Sequence, residues 1–392
     1  MDNLFSVLDT LNNDTSHMRS NDDICTPMSC VKLMVDYLPE ELWERKNLKV
    51  IDTCCGNGNF GAYISTKTSL DNIWFNELSP IRYENCKKIL NPSHLSNIDA
   101  FEIKSFGEWD LSIANPPYSG GGNKNQSLSN KFIEHSIDLL KEGGYLCFIT
   151  PNNWMTYNNK NTTLTKLLEQ GSFLVIDNDV KKYFPGVGSS FVVFVWQKGV
   201  FNHRTKVINN FVIKDIQKDV LIPKTLKFIP LYISNESISV SLKVVSNKQG
   251  EFSYRCDLHN FTKKDMLSDS CTDEFPYRTI HTAKKTRYAK IKQDIYDKWT
   301  VVVPLSTYYV PFVEHNTNVT QSVGYISFNT EEEANIFCSK MKQAPYKAVV
   351  HLTRYGNFNN IMVLKHILFN EDVHLTEKET EFVNLFCSKI TY

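Results

Sequence analysis

Residues 110–118 read Asp110-Leu111-Ser112-Ile113-Ala114-Asn115-Pro116-Pro117-Tyr118, an apolar run that ends in a polar tetrapeptide. Two successive prolines fix φ and remove two N–H donors, so the backbone there presents carbonyls. The Asn115 side-chain oxygen and the Pro116 carbonyl can both accept from one NH2 group. Tyr118 adds a ring on which a planar group can stack. The chemistry this fits is reaction at a delocalised, non-basic nitrogen, such as a carboxamide or an exocyclic amine. A Pro-Pro turn after a strand is the plainer alternative, and features upstream weigh against it.

The first of these is Val50-Ile51-Asp52-Thr53-Cys54-Cys55-Gly56-Asn57-Gly58-Asn59-Phe60, an apolar strand that runs into a Gly-rich turn opening a helix. Glycine lets a ligand approach backbone, and the carboxyl ends of strands are where such sheets bind ligands. The spacing is not the GxGxxG of a dinucleotide site. One strand later Glu77 stands at a strand end, where an acid can accept both hydroxyls of a ribose. Asp99, at the next strand position, can accept from an adenine amine. Taken singly, Glu77 and Asp99 read equally well as solvated acids.

Stepping outward, short apolar runs at 48–55, 73–78, 110–115, 144–150, 173–177 and 191–196 predict buried strands. Helical stretches lie between them; the clearest is 130–141, with Phe132, Ile133, Ile137 and Leu140 on one face and Gly143-Gly144 as its stop. The alternation predicts a doubly wound α/β sheet. The turn at 184–188 predicts an antiparallel hairpin at its edge. After about residue 200 the pattern becomes irregular, with short strands at 206–213, 299–303 and 323–328 and a helix at 330–341. We therefore expect two domains, 1–200 and 201–392, with residues 1–24 partly loose.

These features together resemble the γ-class DNA adenine-N6 methyltransferases of the TaqI kind, over nearly the whole chain. The resemblance implies a Rossmann-like class I methyltransferase sheet, mostly parallel with an antiparallel edge hairpin, and a C-terminal α+β target-recognition domain. It implies S-adenosyl-L-methionine as cofactor, held by Thr26, Asp52, Cys54, Gly56, Gly58, Phe60, Glu77, Asp99 and Asn115. Asn115, Pro116, Pro117 and Tyr118 are the implied catalytic residues, with Tyr118 and Phe184 against a flipped-out base. The chain departs from the family in its Cys54-Cys55 pair and in the polar insert at 120–129. No metal is implied.

DNA contact is expected from Lys284, Lys285, Arg287 and Lys290, in a stretch (281–292) with five basic residues and no acid, and from Arg354 near Asn357, Asn359 and Asn360. A solvated basic loop is the alternative for the first of these. Residues 1–199 hold 23 acidic and 18 basic side chains and residues 200–392 hold 20 and 25, a weak lean of the second half toward a polyanion. Duplex DNA is the expected partner, with a cognate restriction endonuclease acting separately. The ten cysteines form no CxxC pair and the apolar runs are too short to span a bilayer. An intracellular, cytoplasmic monomer without membrane contact is expected. The rival readings are an NPPY-type protein-glutamine or RNA N-methyltransferase, and an inactive DNA-binding relative. Cytosine-N4 transfer is disfavoured because that class prefers Ser before Pro-Pro-Tyr.

Overall fold

The computed structural model describes residues 2–12, 25–118, 128–157, 161–185, 190–306, 309–356 and 358–391. The chain divides into two compact units, Met1–Trp154 with Lys160–Asn210 and Lys214–Leu226, and Met155–Asn159 with Phe211–Ile213 and Lys227–Tyr392.

The first unit holds helices α1 (Asp2–Asn12), α2 (Met28–Asp36), α3 (Asn59–Ile64), α4 (Pro80–Leu90), α5 (Leu128–Leu139) and α6 (Thr162–Gln170). Its strands are β1 (Val50–Asp52), β2 (Ile73–Asn76), β3 (His94–Ser96), β4 (Trp109–Ala114), β5 (Leu140–Pro151), β6 (Gly171–Asp177), β7 (Phe191–Lys198), β8 (Thr205–Phe211) and β9 (Ile213–Val220). They form one sheet in the order β3-β2-β1-β4-β5-β7-β6-β8-β9, with β7 antiparallel to both of its neighbours. The β1, β4 and β7 strands are buried nearly end to end. That is what a sheet covered on both faces requires, and why these segments read as unbroken apolar runs. Helix α3 lies so close to β2 that a Cβ on Gly61 would meet the Phe75 ring at 2.1 Å.

Within the first 24 residues, expected to be partly loose, 2–12 form α1. Three expectations change. Helix α5 ends at Leu139 and β5 begins at once; Gly143, at φ +73°, sits inside the strand beside a register shift rather than stopping the helix. The β6–β7 hairpin is internal, because β8 pairs parallel to β6 and carries the sheet outward. For the same reason the first unit does not end at 200 but runs to Leu226. Between β3 and β4 the only helical turn is Ala100–Glu102. A groove of about 520 Å3, lined by Trp74, His94 and Trp109, occupies that face.

The second unit is α+β. It holds a four-stranded sheet of β10 (Leu267–Ser268), β11 (Tyr277–Ile280), β12 (Thr286–Ala289) and β15 (Asn318–Val319), in the order β10-β12-β11-β15. A three-stranded sheet has β13 (Trp299–Pro304) between β14 (Phe312–Glu314) and β16 (Val323–Phe328). The helices are α7 (Asn235–Val244), α8 (Glu331–Met341), α9 (Ala344–Leu352), α10 (Ile361–Lys365) and α11 (Glu377–Lys389). Helices α7, α8 and α11 each begin with a capping box, at Ser234, Thr330 and Thr376. Tyr346, Val349, Val363 and Phe386 lie in their common core.

Asp110 anchors the amino edge of the large sheet. Its Oδ1 meets Arg45 Nη1 at 2.9 Å and Lys141 Nζ at 2.5 Å, and its Oδ2 accepts from the Lys49 backbone N–H at 3.0 Å. Burial by itself would raise this carboxyl; the bonds from Lys141, Lys49 and Arg45 outweigh it and hold the group below its ordinary value. The stability it contributes is therefore present above the ordinary carboxylate range and lost as pH falls below it. Asp110→Ala, which removes the acceptor of the Lys49 N–H and the partner of Arg45 and Lys141, should cost about 1–3 kcal/mol in denaturant unfolding at neutral pH, with a smaller loss in acid. An unchanged midpoint would contradict the anchor role.

Candidate active site

The carboxyl ends of β1, β2, β3 and β4 lie side by side in the sheet. β1 delivers Asp52, fully buried, whose Oδ1 accepts from the Cys54 N–H at 3.3 Å. The other oxygen, Oδ2, is buried without a hydrogen-bond partner. Burial pushes this carboxyl well above its ordinary value, and the charge of Glu77 adds to the shift. A buried acid left half-satisfied fits a cationic or hydrogen-bond-donating ligand.

The loop after β1 turns through Gly56 at φ +57° and Gly58 at φ +95°. The two glycines serve different ends. A Cβ at Gly58 would meet Leu90 Cδ1 at 2.6 Å, so this glycine lets α4 pack. A Cβ at Gly56 would meet nothing within 4 Å, so its backbone faces open space that a ligand can enter. Phe60 is buried in the first turn of α3 and supports the loop from below. Cys55 and Cys147 are core residues, whereas Cys54 is half-exposed and its Sγ lies 3.6 Å from the Asn115 carbonyl oxygen.

Glu77 is 7% exposed and clamps the loop: Oε2 accepts from the Gly56 N–H at 2.8 Å and Oε1 from the Ser79 N–H at 2.7 Å. Asp99 is exposed and caps the turn Ala100–Glu102 through the Phe101 N–H. Thr26 is buried before α2, and its carbonyl accepts from Asn59 Nδ2 at 2.7 Å, which binds the α2 entry to the glycine loop.

Sequence reasoning missed three residues here. Asn76 donates to the Thr53 and Ile98 carbonyls, each at 3.1 Å, and accepts from Ser96 Oγ and the Ile98 N–H. A polar residue at the end of an apolar strand was the available signal. Leu78 and Ile98 are 46% and 38% exposed beside Glu77 and Asp99. An apolar residue next to each acid is the pattern that could have marked walls for a flat ring.

β4 delivers Asn115, half-exposed at its carboxyl end, followed by buried Pro116 and half-exposed Pro117. The Tyr118 hydroxyl donates to Asn115 Oδ1 at 2.7 Å. Tyr118 is 8% exposed and packs on Phe191 at a centroid distance of 5.2 Å. Phe184, 2% exposed, packs on the other side of the same group, 5.2 Å from Phe191. Tyr118 and Phe184 thus share one aromatic cluster, but neither ring is openly displayed for stacking. Most of the polar insert at 120–129 lies outside the described residues.

The cations singled out in the second unit have acidic neighbours. Lys285 and Arg287 both reach Asp269 (3.3 and 3.0 Å), Lys290 reaches Glu274 (2.6 Å) and Lys292 reaches Asp297 (2.7 Å). The stretch lacks acids only along the sequence; the fold brings them from flanking segments. Lys284 is exposed in the turn between β11 and β12. Arg354 is half-buried just after α9. Asn359 is buried on the Pro304 carbonyl and Asn360 caps α10, so both are structural; Asn357 lies outside the described residues.

The strand order through β6, with β7 reversed, defines a class I methyltransferase sheet, as expected. Residues 58–184 match the Eco57I restriction-modification methylase family. The chain is similar to the type II methyltransferase M.HincII of Haemophilus influenzae, 29% identical over 220 residues, which is 50% of this chain and 41% of that protein. It is also similar to the type II restriction enzyme and methyltransferase RM.BcgI of Heyndrickxia coagulans, 30% identical over 101 residues, 25% of this chain and 16% of that protein. The chain thus spans about two fifths or less of the length of these relatives. Among solved structures, that of the DrdV–DNA complex aligns with 98% of this chain and 59% of that one, at TM-score 0.56 and 8% identity. The type ISP restriction-modification enzyme LlaBIII aligns with 92% of this chain and 39% of that one, at TM-score 0.51 and 11% identity. At such identities the structural likeness concerns the fold. No described helix is long and apolar enough to cross a membrane.

Asp52 gives a test of the half-satisfied acid. Its native carboxyl holds a proton more tightly than the unfolded one, so the ligand-free chain loses stability as pH rises above the ordinary carboxylate range. Asp52→Asn removes that loss: the ligand-free variant should unfold at a higher temperature than wild type at neutral pH, and the gap should shrink in acid. A variant less stable than wild type at neutral pH would show that the ionised acid is satisfied in the native chain.

Proposed function

We propose that this chain transfers a methyl group from S-adenosyl-L-methionine to N6 of an adenine turned out of duplex DNA. The observation that carries this reading is the placement of Asn115 Oδ1 at the carboxyl end of β4, in the same sheet edge as the open glycine loop and the orphaned Asp52 oxygen. The restriction-modification methylase match over 58–184 supports DNA as substrate.

The residues fit the cofactor. Asp52 Oδ2 suits the methionine ammonium, the open backbone at Gly56 suits its close approach, and the Glu77 carboxylate at the end of β2 suits the ribose. Leu78 and Ile98 suit the adenine faces, with Asp99 accepting from its amine. When bound, the cofactor supplies an electrophilic sulfonium methyl.

The chain's own residues prepare the nucleophile. An adenine amine is non-basic because its lone pair is delocalised into the ring. Asn115 Oδ1 and the Pro116 carbonyl accept its two hydrogens and bias the nitrogen toward tetrahedral geometry, which localises the lone pair. With the cofactor bound, the C–N bond would form as the sulfonium S–CH3 bond breaks to leave a neutral thioether, and one amine hydrogen would pass to solvent as a proton. Positioning and preorganised dipoles supply the rate, and no covalent nucleophile takes part. Extrusion from the helix costs a few kcal/mol of unstacking. Contact with Tyr118 and the Phe184–Phe191 group offsets part of it once those rings part to admit the base. The second unit is the target-recognition domain in this reading.

Incubation with methyl-labelled cofactor and, separately, duplex DNA, RNA and a peptide-release factor identifies the product. Label recovered as N6-methyladenine in DNA is expected. Label on cytosine, or on protein alone, would overturn the assignment.

A further inference from the structure

The loop at 259–264 of the second unit combines features that the basic stretch lacks. Phe261 at its apex is 72% exposed, more than any other large apolar side chain among the described residues. A single exposed ring on a loose loop needs no explanation, but this loop is held at several points. His259 Nδ1 accepts from the Phe261 and Thr262 N–H groups, both at 3.3 Å, and the Lys263 N–H closes on the His259 carbonyl at 2.9 Å. The Asn260 N–H donates to Gln321 Oε1 at 3.0 Å, and the Arg287 guanidinium donates to Asn260 Oδ1. Leu258, fully buried with Leu267 and Ala289, fixes the root. The loop therefore presents an apolar ring from a preorganised frame, where little entropy is lost on contact.

The charges beside the ring are also free. Lys263 and Lys264 are exposed and make no ion pair among the described residues, unlike Lys285, Arg287, Lys290 and Lys292. Asp265 follows them, so the apex carries a small net positive charge. Arg287 braces the loop from β12.

We propose that this loop is a DNA-reading element, with the Phe261 ring placed against bases within a groove and Lys263 and Lys264 on the flanking phosphates. The proposal rests on the second unit being the DNA-recognition part of a methyltransferase. A rigid apolar tip beside exposed cations fits a duplex, where an apolar side chain can wedge between base steps and the neighbouring phosphates are anionic.

The test uses the full chain, a labelled mixed-sequence duplex followed by anisotropy across a salt series, and sequencing of methylated positions on a long natural duplex. Phe261→Ala should weaken binding about tenfold or more and widen the set of methylated sequences. Phe261→Leu should retain most of the affinity. Lys263→Ala with Lys264→Ala should reduce the slope of log affinity against log salt by about two. Thermal unfolding midpoints check that each variant folds; the lysine pair, being fully surface-exposed, keeps the test open should Phe261→Ala unfold. Wild-type affinity, salt slope and methylated sequence in all three variants would overturn the proposal. So would unchanged DNA binding with altered self-association for Phe261→Ala, which would make the tip a protein contact. Absence of methyl transfer by the wild type would instead sink the methyltransferase reading, since binding is measured without transfer.

Discussion

The carboxamide of Asn76 ties together three loops at the carboxyl edge of the large sheet. It donates to the Thr53 carbonyl after β1 and the Ile98 carbonyl after β3, and accepts from Ser96 and Ile98. Glu77, the next residue, pins the Gly56 and Ser79 N–H groups. Where parallel strands end together, their last polar groups must be satisfied by something other than the ladder. Here they are satisfied by side chains that also fix the shape of the loops. The glycine turn, the exposed acid at Asp99 and the apolar pair Leu78 and Ile98 all take their positions from this bracket.

The same edge divides its polar groups into those that are spent on structure and those that are not. Asn76 has its capacity filled. Asp52 keeps one oxygen orphaned, and Asn115 holds the Tyr118 hydroxyl on its Oδ1. These two side chains lie at the ends of β1 and β4, which are adjacent and parallel. A donor ligand at the first and an amine at the second would stand on neighbouring strands. A transfer enzyme needs that arrangement of its two substrates.

Much of the first unit was legible in the sequence because its strands are buried on both faces and therefore unbroken in hydrophobicity. Asp52, Glu77 and Asn115 were legible because each ends such a run. What could not be read was set by contacts distant in sequence. The acids Asp269, Glu274 and Asp297 lie outside the basic stretch and reach it only through the fold. The extension of the sheet by β8 depends on its parallel pairing with β6, which no local pattern reveals. Burial of Phe184 and Tyr118 against Phe191 is likewise a packing outcome.

The central claim is that Asn115 acts on the amine and not on binding. Single-turnover transfer by Asn115→Ala, on DNA carrying a fluorescent adenine analogue at the target base, separates the two most directly. The account predicts retained affinity and a retained fluorescence rise on base extrusion, with transfer slowed about 100- to 1,000-fold, as for loss of one preorganised polar partner. Transfer at close to the wild-type rate, or loss of extrusion with transfer per extruded base unchanged, would contradict it.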